Sequence, residues 1–72
     1  MSKQNYYQVD GIDIEFKSLK EAKHHCEHEF NLEEKIKYLD GAEVYNIVKG
    51  ELYQVYVIRV DEKGNIIINN IE

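Results

Sequence analysis

The run His24-His25-Cys26-Glu27-His28 holds all three histidines and the one cysteine of this 72-residue chain, so thiol or imidazole chemistry must begin there. His24 and His28 are four residues apart. On a helix that spacing stacks two imidazoles on one face, where they can grip Zn²⁺, Ni²⁺ or Cu²⁺ with Glu21 as a third ligand. No second ligand pair lies elsewhere in the chain. The pattern therefore reads first as a solvated, histidine-rich helix face, and no metal or other cofactor is expected.

Cys26 is a poor nucleophile candidate. It falls on the apolar stripe of the same helix, and its neighbour His25 points elsewhere, because positions i and i+1 do not face each other. A buried thiol packing as a small hydrophobe is the plainer reading. Hydroxyl chemistry has little to work with: Ser2 is terminal, Ser18 serves a helix cap, and there is no threonine. The carboxylate pairs Asp13/Glu15 and Glu33/Glu34 look like polar faces of regular elements, and nothing sets them at glycosidase spacing. The four glycines, at positions 11, 41, 50 and 64, are all explained by turns, so no phosphate loop is present. Lys17 and Lys20 beside the helix start at Ser18 could attract an anion, but exposed lysines near an ordinary cap are the simpler account. A non-enzymatic protein is expected.

The elements that carry these residues are legible from period and turn chemistry. Asp10-Gly11 is a dipeptide that two-residue hairpin turns favour, and it sits between two alternating runs. The expected hairpin sets Val9 opposite Ile12 and Tyr7 opposite Ile14, with Tyr7, Val9, Ile12, Ile14 and Phe16 on one face. Ser18 and Glu21 then have capping-box spacing, and Leu19, Ala22, Cys26 and Phe30 form one narrow helical stripe, with Glu21, His24, His25 and His28 pointing away. Lysines lie early in this helix and Glu27 and Glu29 late, against the macrodipole, so tertiary packing must hold it. Residues 31–39 are ambiguous. Asn31 with Glu34 makes a second capping box and Leu32, Ile36 and Leu39 share a helical face, whereas the alternation of Ile36 and Tyr38 suits a strand. A short helix ending near Gly41 is favoured.

The stretch VDGIDIEFKSLKEAK, residues 9–23, resembles the hairpin-then-helix opening of small open reading frames in Gram-positive bacteria and their phages. The resemblance names no family and carries no catalytic or binding residue across.

Residues 42–71 read as a three-stranded meander. Lys49-Gly50 or Gly50-Glu51 turns the chain between 44–48 and 52–60, and a turn over Asp61-Glu62-Lys63-Gly64 leads to Ile66, Ile67 and Ile68. The expected register puts Val44, Val48, Tyr53, Val55, Val57, Ile67 and Ile71 on one face. Tyr45, Ile47, Leu52, Tyr56, Ile58, Val60, Ile66 and Ile68 take the other. Both faces are apolar, and the chain has no proline to blunt an edge strand.

The predicted architecture is a single α+β domain over 1–72, β-β-α-(short helix or strand)-β-β-β, with one main helix packed on an antiparallel sheet. Such a chain buries roughly 60% of the surface its unfolded form exposes, and it lacks both a disulfide and a zinc site to compensate. One greasy sheet face is left to meet something outside. Six tyrosines against two phenylalanines and no tryptophan point the same way, because tyrosine tolerates water on one side and is enriched at interfaces. The candidate interface is Tyr45, Tyr53, Val55, Tyr56, Val57, Ile67 and Ile71. The expected function is a non-catalytic protein-interaction module, homodimeric or bound to another protein, in one version an acidic inhibitor or regulator encoded by a phage or mobile element. The alternative is an accessory protein that stacks nucleic-acid bases on strand tyrosines. Fourteen acidic against nine basic residues, a net charge of −5 and a single arginine weigh against that alternative. No membrane span or secretory leader is legible, so a cytoplasmic setting is expected.

Overall fold

In a computed structural model, which describes residues 5–71, the strands β1 (Asn5–Val9), β2 (Glu43–Val48), β3 (Glu51–Val60) and β4 (Ile66–Asn70) form one antiparallel sheet in the order β1-β2-β3-β4. The main helix α1 (Leu19–His28) and a short helix α2 (Leu32–Glu34) lie between β1 and β2 in the chain, which makes the α+β arrangement β-α-β-β-β. The second strand of the expected opening hairpin shrinks to one bridge, Tyr7 to Phe16, whose two backbone bonds are each 2.8 Å.

Turn chemistry explains that loss. The Ile12 N–H donates to the Val9 carbonyl at 2.9 Å, and Gly11 has φ +88° while Asp10 keeps a negative φ. That is a type II geometry, whose twist splays the flanking strands instead of pairing them. Tyr7 consequently meets Phe16 and not Ile14, and Ile14 is left exposed. Lys49 and Gly50 behave differently: both have positive φ, 53° and 81°, the type I′ combination that fits the strand twist. The β2–β3 hairpin closes on it with Val48 opposite Glu51.

Helix α1 starts as its sequence dictates. The Ser18 Oγ accepts from the Glu21 N–H at 3.1 Å, but the Glu21 carboxylate reaches one residue further back than expected, to the Lys17 N–H at 3.2 Å. The box at Asn31 and Glu34 is complete, with bonds of 2.8 and 3.0 Å. Residues 32–39 are thus helical behind the Asn31 cap, and α2 widens into a π turn, Lys35–Leu39, closed by the Asp40 N–H on the Lys35 carbonyl. The wider turn carries Leu39 into the core while Leu32 and Ile36 stay exposed, so the three do not share one buried face.

Among the described residues the core consists of Val9, Phe16, Ala22, Cys26, Leu39, Val44, Ile58 and Ile66, with Tyr7, Ile12, Leu19, Phe30, Tyr56 and Ile68 packed at its margin. Each fully buried aliphatic side chain here is worth about 1.5–3 kcal/mol. Val44 is the principal correction to the expected faces. A bulge between Asn46 and Ile47 shifts the β2–β3 register, so Val44 pairs with Tyr56 and Tyr45 with Val55. One residue of slip exchanges the faces of β2 relative to β3. Val44 joins Tyr56, Ile58 and Ile66 under the helices, and Tyr45 and Ile47 turn to the opposite side with Val55 and Val57.

Candidate interaction surface

Strand pairing decides which side chains meet on the uncovered side of the sheet. Opposed residues share a face, so the registers Tyr6↔Ile47, Tyr45↔Val55, Ile47↔Leu52, Glu43↔Val57 and Arg59↔Ile67 assemble one surface from all four strands. Its apolar members are Tyr6, Tyr45, Ile47, Leu52, Val55, Val57 and Ile67. Helix α1 packs on β1 and β4, and the π turn packs on β3, each through the core on the other side. No helix among the described residues crosses this surface. Leu52 is 57% exposed and Ile67 43%, whereas Tyr45, Ile47, Val55 and Val57 are half-buried by one another.

Four of the seven interface candidates, Tyr45, Val55, Val57 and Ile67, come together here. Ile71 joins them just past β4, where its N–H bonds to the Val55 carbonyl at 3.1 Å. Tyr53 lies in the bulge, 72% exposed, beside the β2–β3 turn. Tyr56 is separated from the group. It lies on the helix side with its ring 6.3 Å from that of Tyr7, and burial raises its phenol pKa. Sequence reasoning omitted Tyr6, Ile47 and Leu52 from the site. Tyr6 had an outward-facing signal in the β1 alternation, but the bulge that brings Tyr45, Ile47 and Leu52 to the side of Val55 and Val57 had none.

Polar residues sit among these apolar ones: Gln8 opposite Tyr45, Asn69 and Glu43 on either side of Val57, and Arg59. The Tyr45 hydroxyl donates to a Glu43 carboxylate oxygen at 2.9 Å, and this bond is the main cause of its raised pKa. Arg59 stands opposite Ile67.

The histidine-rich run divides between two environments. His24 and His28 are exposed and their ring centroids lie 4.3 Å apart, tilted at 42°, but among the described residues no group of three or more His, Cys, Asp or Glu side chains could hold a metal ion. His25 does not point away as expected: it is half-buried, 5.3 Å from the Phe16 ring and 6.2 Å from Phe30. Cys26 is fully buried on the helix stripe, and burial, reinforced by Glu27, pushes its thiol pKa up to about 11. Such a thiol is protonated at neutral pH and packs as a hydrophobe. Glu27, placed late in α1 against the dipole, accepts the Ile66 N–H at 3.3 Å and so fastens the helix to β4.

None of the helices among the described residues is long and apolar enough to cross a membrane. No family model, curated protein or solved structure matches the chain.

Proposed function

We propose that this chain is a small non-catalytic protein-interaction module that docks through the uncovered face of its sheet, pairing first with a second copy of itself. One observation carries the reading. Seven apolar side chains from four strands share one surface on which no helix of the described chain rests. Two such sheets packed face to face sit about 10 Å apart and interdigitate their inner side chains. A small domain with a thin core gains stability by covering such a face. The acidic balance of the chain suits a cytoplasmic regulator or inhibitor of phage or mobile-element origin.

The nucleic-acid alternative is weaker. Tyr45 is bonded to a carboxylate, Glu43, on the surface that would have to accept phosphates, and Arg59 lies at its margin, opposite Ile67 and beyond the pairing of β2 with β3. The test is light scattering on a size-exclusion column. The native chain is expected at twice its 8.5 kDa mass, and Val57→Lys at the single mass with unchanged circular dichroism. A native monomer that does not bind an apolar dye overturns the reading, and tight low-salt filter binding of single-stranded DNA would move the ranking to the alternative.

A further inference from the structure

The molecule has a second unsatisfied surface, at right angles to the first. β4 is the last strand of the sheet, and its inner partner is β3. The Asp61 N–H bonds to the Asn65 carbonyl and the Ile71 N–H to the Val55 carbonyl, so the odd-numbered residues of this segment face β3. By the alternation of an antiparallel ladder, Ile66, Ile68 and Asn70 aim their backbone groups outward. Glu27 occupies the Ile66 N–H, and among the described residues the outward groups of Ile68 and Asn70 meet no further strand. Natural edges are blunted by proline, charged side chains or bulges. The β4 sequence, Ile-Ile-Ile-Asn-Asn, has none of them, and its pairing with β3 is unbroken.

Beside this edge runs a groove of about 430 Å³ between β4 and α1, lined by Leu19, Lys20, Lys23, Ile66, Ile67 and Ile68. An edge strand flanked by a helix is the arrangement that accepts an extended peptide as an added strand, backbone bonds giving affinity and alternate side chains giving specificity. The bank of the groove is basic although the chain carries a net −5. A second copy is a poor occupant: two β4 edges related by a twofold axis at Ile68 would bring Lys20 and Lys23 of both copies to the same axis.

We infer that the β4 edge and the α1 groove form a strand-addition site for an extended acidic segment of a partner protein. The segment pairs with Ile68 and Asn70, sets alternate carboxylates over Lys20 and Lys23, and lays its apolar residues beside Ile67 to continue the uncovered face. Glu27 repels carboxylates at the Ile66 end and so fixes where the acidic positions fall. This inference rests on the reading of the chain as an interaction module, but it uses a different surface, and the two fail separately.

The experiment is fluorescence anisotropy with a labelled octapeptide alternating Glu and Val, compared with one alternating Lys and Val. The native chain is expected to bind the Glu/Val peptide and to discriminate against the Lys/Val peptide. Ile68→Pro removes the outward N–H at an edge position where proline is tolerated, and is expected to abolish binding. The double variant Lys20→Glu, Lys23→Glu leaves the backbone intact and is expected to weaken Glu/Val binding about tenfold and favour Lys/Val. Val57→Lys, on the uncovered face, is expected to bind like the native chain even where it prevents dimerisation. Equal binding of both peptides, no binding of the Glu/Val peptide, or binding unchanged by both edge variants overturns the inference.

Discussion

Val57 and Ile58 are neighbours in one strand, yet they face opposite fates. Ile58 points into a core built from α1, the π turn and three other strands, and it is wholly buried. Val57 points at the uncovered face and is shielded only by its neighbours across the sheet. Both faces of the sheet are aliphatic and aromatic, so composition does not distinguish them. The helices do. Among the described residues there are one helix of ten residues, one of three and the π turn of five, enough to roof a single side of four strands. Among the described residues this apolar face is built but not roofed, and the proposed association rests on that difference.

Substitutions at these adjacent positions give the sharpest way to break the comparison. Ile58→Ala should destabilise the chain by about 2–5 kcal/mol, because it leaves a cavity under the helices. Val57→Ala should change the monomer by roughly 0.5 kcal/mol or less. Urea unfolding at a protein concentration low enough to exclude association measures both. Equal losses would mean that the two faces are not different environments.

A smaller effect tests how dry the covered side is. Asn46 points into it at 5% exposure, and among the described residues its Oδ1 finds no hydrogen-bond donor. A buried acceptor without a partner carries a desolvation penalty, so Asn46→Val should stabilise the fold by about 1 kcal/mol. A loss of that size would instead show that Asn46 serves the bulge that begins beside it.

The smallest effect lies at the β3–β4 turn. Asp61 accepts the Asn65 N–H at 2.8 Å, the Asn65 side chain at 3.0 Å and the Lys63 N–H at 2.9 Å, and these bonds, Asn65 foremost, hold its pKa below the ordinary 3.8. A carboxyl whose folded pKa is depressed stabilises the native state above its unfolded value and loses that contribution as pH falls through the folded one. Native protein should therefore lose slightly more stability between neutral and strongly acidic pH than Asp61→Asn. Identical pH profiles would show that the turn does not depend on the carboxylate charge.

Local chemistry was legible wherever it acts over a few residues. The Ser18 cap, the Asn31/Glu34 box and the stripe of Ala22 and Cys26 follow from spacing alone, because their partners are three or four positions away. The helix over 31–39 was the favoured reading, but its π turn was hidden, since Leu32, Ile36 and Leu39 fit an ordinary helix equally well. Asp10-Gly11 was a fair hairpin signal that failed. The same dipeptide serves type I′ and type II turns, and only the sign of φ at Asp10, set by the pairing of β1 with β2, separates them. The candidate surface was legible in part: Val55, Val57, Ile67 and Ile71 were grouped correctly because they follow one uninterrupted alternation from β3 into β4. Tyr45 fell on the wrong side of that grouping because the bulge beside Asn46 leaves no mark in the residue pattern.

By itself the sequence determined the class of fold, the helix starts, the turn sites and the fact that the last three strands are apolar on both sides, because propensity, capping and period-two alternation are properties of neighbouring residues. The tertiary structure decided which apolar residues are covered. That choice depends on a one-residue shift between β2 and β3 and on where a short helix finds room, and both are settled by packing between segments distant in the chain.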